Sequence, residues 1–280
     1  MNAVSTELKI AFIGGGNMAS ALIAGLAGKL TAGAHIHVVD PHAASLDTLR
    51  ERYGVGTAAG IDAAVTACDV IVLAVKPQNM REVAAQLAPW LNGATPLVLS
   101  IAAGIRSADL SRWLGGYHAI VRCMPNTPAL IGLGITGMVA SAAVSAAQKA
   151  AADAIMRAVG ATVWLDDEAL IDPVTGLSGS GPAYVFYFIE AMQAAAAELG
   201  LTSEQGTQLA LATFVGASQL AAQSADPVAV LRERVTSKGG TTYAALTSMR
   251  DSGVKEAIVA AVKAAAARGK EMGEEMGGAA

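Results

Sequence analysis

The chain has 280 residues, enough for one large domain or two of ordinary size. Hydrophobic residues make up 53% of it, which allows a sizeable core and excludes a disordered composition. The formal net charge is -4 and there is no basic run, so composition predicts neither a nucleic-acid partner nor a membrane partner.

The first 165 residues predict alternating strands and helices. Short apolar runs predict the strands, which are Lys9–Gly14, His35–Asp40, Asp69–Val75, Leu97–Ile101 and His118–Cys123. The segments between them predict helices, which are a segment ending at Leu26, Leu46–Tyr53 and Gln78–Trp90. Buried strands that alternate with helices are typical of βαβ units. Residues 1–165 therefore predict an α/β domain with a mostly parallel sheet.

A glycine-rich turn follows the first predicted strand. Residues 14–19 read GGGNMA, the pattern G-x-G-x-x-A, between a strand and a helix. Gly14 allows the tight turn, Gly16 lets a pyrophosphate approach the backbone, and the helix N-terminus supplies N–H donors. This context predicts a Rossmann-type dinucleotide-binding domain. The contacts predicted here are Ile13, Gly14, Gly15, Gly16, Asn17 and Met18.

Three further segments belong to the predicted cofactor site, because they follow strands of the same sheet. Asp40 ends the second strand, where an acid accepts hydrogen bonds from the adenosine ribose and repels a 2′-phosphate. It is also interpretable as a turn residue before Pro41. His42, if protonated, would attract a phosphate, so these residues leave NADH and NADPH both open. The other predicted contacts are Ala74, Val75, Lys76, Pro77, Ala102 and Ala103.

Strand-like runs almost disappear after about Leu165. The remaining chain predicts helices at Pro182–Gly200, Ser203–Gln223, Pro227–Val235, Thr241–Gly253 and Val254–Glu275. Residues 166–280 therefore predict an all-α domain. Its helices are rich in alanine and poor in charge, and such surfaces usually pack against a partner, so we expect a homo-oligomer.

Two glycine-rich segments precede helices of the second domain. Residues 175–184 read TGLSGSGPAY and residues 235–243 read VTSKGGTTY. One interpretation is ordinary capping, with Thr241 and Thr242 as helix caps. The density of glycines and hydroxyls favours the other interpretation, an anion site for a small carboxylate at Gly239–Thr242.

Several kinds of chemistry have no pattern in the sequence. The four histidines and two cysteines form no zinc-ligand spacing and no catalytic triad, so no metal site is predicted. Free thiols, no export signal and no uninterrupted apolar span predict a cytoplasmic protein. The remaining acidic cluster is interpreted as helix caps and solvated charges rather than acid–base groups. Its members are Asp166, Asp167, Glu168 and Asp172.

Six segments occur together in one order along the chain. They are AFIGGGNMASALIAGL, LAVKPQ, SIAAGI, VRCMPNTPAL, DPVTGLSGSGPAY and VTSKGGTTYAAL, and with them nearly the whole chain resembles the pyrroline-5-carboxylate reductase family. The resemblance implies a nucleotide-binding domain followed by a helical dimerisation domain, whose dimers often assemble further. It also implies that NADPH or NADH reduces the C=N bond of 1-pyrroline-5-carboxylate to give L-proline.

The resemblance assigns roles to individual residues. Thr242 would hydrogen-bond the ring nitrogen of the substrate at a site formed between two subunits. The substrate carboxylate would be held by Ser237, Gly239, Gly240 and Thr241, and the same pocket would be lined by Ser178, Gly179 and Ser180. Three residues depart from the family pattern, and they place the cofactor preference, not the reaction, in question. They are Lys238 in place of a usual proline, Asp40 in place of a small or basic residue, and Ile61 in place of a frequent asparagine.

Two other functions fit part of the sequence. A β-hydroxyacid dehydrogenase would reduce a carbonyl with a catalytic lysine on a helix, and the nearest candidate, Lys238, is predicted in a loop. A nucleotide-binding sensor or scaffold dimer would bind the cofactor without turnover. The intact GGTT sequence argues against a sensor, which has no need of a substrate anion site.

Overall fold

The computed structural model of the chain describes residues 8–278. It consists of two compact units, a sheet unit of residues 1–180 and 265–280 and a helical unit of residues 181–264. Residues 1–7 and 279–280, the outer ends of the two predicted domains, lie outside the described residues. The chain passes from the sheet unit to the helical unit after Ser180 and returns after Ala264, whereas the composition changes at about residue 165. Because compactness and composition are different criteria, the predicted domain limits stay a prediction.

An eight-stranded sheet forms the centre of the sheet unit. Its strands are β1 Ile10–Ile13, β2 Ile36–Val39, β3 Gly56–Ala58, β4 Val70–Leu73, β5 Leu97–Ser100, β6 Ile120–Met124, β7 Gly134–Ala140 and β8 Gly160–Trp164. Their order is β3-β2-β1-β4-β5-β6-β7-β8, and each neighbouring pair is parallel except β6 with β7. The predicted mostly parallel sheet is confirmed, and β3, β7 and β8 are additions to it.

Helices cover the sheet and connect its strands. In the sheet unit they are α1 Asn17–Leu26, α2 Ala43–Tyr53, α3 Ala63–Thr66, α4 Pro77–Leu87, α5 Ser107–Trp113, α6 Ala146–Arg157 and α7 Ile171–Val174. Side chains alternate across each strand, so Phe12 enters the core on one face while Ile13 enters the core on the other. Both faces of β1 and β4 are buried, which explains their continuous apolar sequences.

The helical unit contains the helices that the sequence predicts after residue 180. They are α8 Gly181–Glu198, α9 Ser203–Gln223, α10 Val228–Arg234, α11 Thr241–Asp251 and the first part of α12 Val254–Gly278. Helices α8 and α9 pack closely because Gly206 has no side chain; a Cβ there would lie 2.9 Å from the Ala196 Cβ. Within residues 8–278, no helix is both long enough and apolar enough to cross a membrane.

Large apolar side chains are exposed on α8 and α9. Phe186, Tyr187 and Leu209 are 59%, 73% and 57% exposed, whereas the buried residues of these helices are the small Ala196, Gly206 and Ala210. A helical unit with this distribution has little core of its own. Its apolar surface is of the kind that a second subunit covers.

Candidate functional site

The turn at Gly14 is held by hydrogen bonds at the carboxyl ends of β1, β2 and β4. Gly14 N–H donates to Val39 O at 2.8 Å, and Ala74 N–H donates to Ile13 O at 2.8 Å. The φ of Gly14 is 102°, and a Cβ there would lie 2.6 Å from Ala74 O. Both the backbone conformation and the contact therefore require glycine at this position.

Gly16 differs from Gly14 because it faces open space. It is exposed, and a Cβ added there would meet nothing within 4 Å. The first intrahelical bond of α1 runs from Ser20 N–H to Gly16 O, so the N–H groups of residues 17–19 have no intrahelical acceptor. Open donors at a helix N-terminus next to a residue without a side chain fit a pyrophosphate. Of the predicted contacts on this helix, Asn17 is exposed and Met18 is partly buried.

Asp40 is held against the glycine turn. Its Oδ2 accepts from Gly15 N–H at 2.7 Å, and its Oδ1 accepts from His42 N–H at 2.8 Å and lies 3.0 Å from His42 Nδ1. Burial raises the pKa of Asp40, but the hydrogen bonds from Gly15 and His42 outweigh burial and lower the pKa overall. A carboxylate that is ionised at neutral pH therefore stands at the end of β2, where it disfavours a 2′-phosphate on an adenosine ribose.

The segments that follow β4 and β5 lie at the same edge of the sheet as the glycine turn. Ile13 is in register with Leu73, and Leu73 with Ser100, so the ends of β1, β4 and β5 are aligned. Pro77 begins α4 and is partly buried, and Lys76 before it is exposed. Of the remaining predicted contacts, Ala102 is buried. The others are partly buried, and they are Ala74, Val75 and Ala103.

The segment that carries Ser178 and Gly179 is itself helical, whereas the sequence predicts only that it precedes a helix. Residues Thr175–Gly179 form a π-helical turn, with Ser180 N–H donating to Thr175 O at 2.9 Å. Gly179 permits this packing because a Cβ there would lie 2.6 Å from the Met124 Cε. The Ser178 hydroxyl donates to Val174 O at 3.1 Å. Single π turns of this kind are frequent at functional sites.

The segment Ser237–Thr242 forms a turn and the start of α11. Gly240 N–H donates to Ser237 O at 3.0 Å, and Gly239 has a φ of 72°. The interpretation of Thr241 and Thr242 as caps is wrong, because Gly240 is the N-cap and makes no side-chain cap. A Cβ at Gly240 would lie 2.6 Å from Ser237 Oγ, so the turn is too tight for a capping side chain.

The N-terminus of α11 has the properties of an anion site. Its first intrahelical bond runs from Ala244 N–H to Gly240 O, so the N–H groups of residues 241–243 have no intrahelical acceptor. Lys238 and Thr241 are exposed beside them, and Ser237 and Thr242 lie in the same turn and first helical residues. A neighbouring groove of about 640 Å³ includes Asp251 but not Thr242, so its charge suits a carboxylate poorly.

Metal and thiol chemistry have little support. Among residues 8–278, no three His, Cys, Asp or Glu side chains are grouped as metal ligands. His37 Nε2 instead lies 3.1 Å from Asp62 Oδ1. Burial raises the pKa of Cys123 far above its usual range, and burial together with Asp69 raises the pKa of Cys68 to about 11. Neither thiol is therefore an activated nucleophile.

The acidic cluster has structural roles. Asp167 accepts from Ala169 N–H at 2.9 Å, which is a helix cap as predicted. Glu168 Oε1 accepts from Ser107 N–H at 2.7 Å and from Arg122 Nη1 at 3.0 Å. The sequence gives no sign of this last contact, because the partners are far apart along the chain.

The structure thus groups the candidate residues in two sets. The predicted cofactor contacts and residues 178–180 belong to the sheet unit, and residues 237–242 belong to the helical unit. One polar residue that sequence reasoning gave no role, Asn126, contacts the π turn directly. Its only signal in the sequence is its place in the PNTP segment after β6.

Known proteins match both parts of the chain. Residues 168–272 match the family described as pyrroline-5-carboxylate reductase dimerisation, and residues 9–104 match NADP oxidoreductase coenzyme F420-dependent. Pyrroline-5-carboxylate reductase of Pseudomonas aeruginosa is 46% identical over 96% of this chain and 98% of its own length. The Escherichia coli enzyme is 36% identical over 91% of this chain and 95% of its own length.

Solved structures agree with these matches. A pyrroline-5-carboxylate reductase from Coxiella burnetii superposes with a TM-score of 0.89 at 40% identity, covering 95% of this chain and 98% of that one. The Plasmodium falciparum pyrroline carboxylate reductase, crystallised with NADP bound, superposes with a TM-score of 0.84 at 30% identity, covering 96% and 99%.

Proposed function

The chain belongs to the pyrroline-5-carboxylate reductase family, and we propose that it performs the family's reaction with the two sets of residues described above. It is an NAD(P)H-dependent oxidoreductase that reduces the C=N bond of 1-pyrroline-5-carboxylate to give L-proline. The observation that carries the proposal is that the chain contains two open helix N-termini, one in each unit. One follows the dinucleotide turn at Gly16, and the other follows Gly240 and suits a small carboxylate.

The sheet unit holds the cofactor. The N–H groups at the start of α1 bind the pyrophosphate, and Asp40 binds the adenosine ribose while keeping the turn closed. Ala74–Pro77, after β4, contact the cofactor through their backbone, and Ala102–Ala103, after β5, flank the nicotinamide. NAD(P)H, when bound, supplies the hydride that the reaction consumes.

The substrate is positioned by its carboxylate and its ring nitrogen. Ser237, Gly239, Gly240 and Thr241 hold the carboxylate through hydroxyl and N–H groups, and Thr242 is the hydroxyl that orients the nitrogen. Ser178, Gly179 and Ser180 line the same pocket. A cyclic imine that binds protonated already carries the proton of the product, so the protein needs no strong acid.

We propose a homodimer that assembles into a larger homo-oligomer, with the substrate site between subunits. The exposed apolar side chains of α8 and α9 and the match of residues 168–272 to a dimerisation family support the dimer. Light scattering across a range of protein concentrations is expected to show no monomer. A concentration-independent monomer would contradict the assembly. The free cysteines Cys68 and Cys123 support a reducing compartment, and we place the protein in the cytoplasm.

The reaction is tested by mixing the protein with 1-pyrroline-5-carboxylate and either NADPH or NADH. We expect oxidation of the cofactor and formation of proline in equal amounts. Cofactor binding without oxidation would contradict the proposal and favour a sensor. If the protein were a carbonyl reductase with a catalytic lysine, Lys238→Ala would abolish its activity. In the proposed reaction Lys238, which lies in the turn before α11, is not required, and Lys238→Ala should remain active.

Replacing Asp40 with asparagine is expected to shift the cofactor preference toward NADPH. The asparagine side chain keeps an acceptor for Gly15 N–H and removes the negative charge that faces a 2′-phosphate. The ratio of kcat/KM for NADPH to that for NADH should rise about tenfold, which corresponds to ~1.4 kcal/mol. Asp47→Asn, an exposed carboxylate on α2, is the control for loss of one charge. An unchanged ratio in D40N would show that Asp40 serves only to close the turn.

A further inference from the structure

Asn126 links the end of β6 to the π turn. The side chain is nearly buried, with 9% of the residue exposed. Its Nδ2 donates to Ser178 O at 3.1 Å, and its Oδ1 accepts from Ile135 N–H at 2.9 Å. Both polar atoms of one amide are therefore used, one on the π turn and one on β7.

The carbonyl that Asn126 contacts lacks the usual helical partner. In an α-helix, Ser178 O would accept from the N–H of residue 182. That residue is Pro182, which has no N–H. The π turn shifts the hydrogen-bond pattern in the same segment, as the bond from Ser180 N–H to Thr175 O shows. A donor from outside the helix fixes where this carbonyl lies.

The surrounding contacts leave the π turn little freedom to adjust. A Cβ at Gly179 would lie 2.6 Å from the Met124 Cε, and a Cβ at Gly137 would lie 2.7 Å from the Val174 Cγ1. The π turn therefore packs directly on β6, and Val174, the residue just before it, packs directly on β7. Among these apolar contacts the Asn126 amide makes a hydrogen bond, which is directional. This hydrogen bond therefore determines the position and orientation of residues 178–180.

We propose that Asn126 is a positioning residue for the substrate pocket, acting through the Ser178 carbonyl. The proposal rests on the proposed function, because it takes residues 178–180 to line that pocket. It assigns Asn126 no contact with the cofactor. Loss of its amide donor is expected to weaken productive binding of 1-pyrroline-5-carboxylate while leaving the glycine turn at Gly14 unchanged.

The test is Asn126→Asp, which keeps the acceptor for Ile135 N–H and replaces the donor by an oxygen facing Ser178 O. The KM for 1-pyrroline-5-carboxylate should rise about tenfold or more, as small misplacements of positioning groups cause. The Kd for NADH, measured without substrate, should stay near that of the wild type, whereas the melting temperature should fall because the aspartate places an unpaired charge in a buried site. Asn92→Asp, at an exposed site of the same unit, controls for the added charge.

A second variant, Asn126→Ala, removes the donor without adding charge and should raise the same KM. Wild-type KM in both variants, with the wild type itself active, would overturn the positioning role and leave the proposed function intact. Loss of NADH binding in both would also overturn it, by showing that Asn126 supports the fold as a whole. No turnover of 1-pyrroline-5-carboxylate by the wild type would instead refute the proposed function.

Discussion

Thr242→Ala is expected to lower kcat with 1-pyrroline-5-carboxylate by about tenfold to a hundredfold, the usual effect of losing one hydrogen bond to the reacting group. Thr242 is the second residue of α11, directly after the turn that ends at Gly240. Its backbone N–H belongs to the anion site and is retained in the variant. The loss therefore reports the hydroxyl alone, which orients the ring nitrogen and stabilises the amine that forms.

Steady-state kinetics with both substrates varied, together with NADH binding, measures this effect. The Kd for NADH should be unchanged, and Thr242→Ser should recover much of the activity because it retains a hydroxyl. Thr247→Ala, on the same helix and also partly buried, is the matched control and should behave as the wild type. Wild-type turnover in T242A would remove Thr242 from the reaction and transfer the orienting role to backbone groups of the same turn.

The elements of both units could be predicted where one physical signal dominates. Strands buried on both faces, such as Ile10–Ile13 and Val70–Leu73, are continuous apolar runs between turns. The helix Ser203–Gln223 has the predicted bounds because Thr202 and Gln205 form a capping box at its start. The strands of three or five residues that are only half-buried, Gly56–Ala58 and Gly160–Trp164, have no such signal.

The glycines of the candidate site could be predicted from the sequence, whereas its contacts between distant parts of the same chain could not. Spacing alone shows that Gly14 and Gly16 flank a strand–helix turn, because both requirements are local. The contact of Asn126 with Ser178 joins residues far apart in sequence, and the π turn depends on packing against β6. Such features arise from tertiary structure, which a single sequence does not display.

Gly14 and Gly16 lie two residues apart, yet only the substitution at Gly14 should lower the stability of the protein. Gly14→Ala would place a Cβ 2.6 Å from the backbone oxygen of Ala74, at a φ of 102°. The backbone of Ala74 directly follows β4 and donates a hydrogen bond to Ile13 O, so it cannot move without disturbing the sheet, and the clash and the strain add. We expect a loss of about 2 to 5 kcal/mol in the free energy of unfolding, and loss of cofactor binding with it.

Gly16→Val is the matched variant, because the φ of Gly16 is -73° and its Cβ would meet no protein atom within 4 Å. Its melting temperature should equal that of the wild type, while its Kd for NADH should rise about a hundredfold or more because the side chain fills the space of the pyrophosphate. Thermal denaturation and NADH binding of both variants separate the two roles. A stable G14A would mean that the turn relaxes, and tight NADH binding by G16V would place the pyrophosphate elsewhere. The expected pattern would show that the open space at Gly16 is reserved for the cofactor, whereas Gly14 is required by the fold itself.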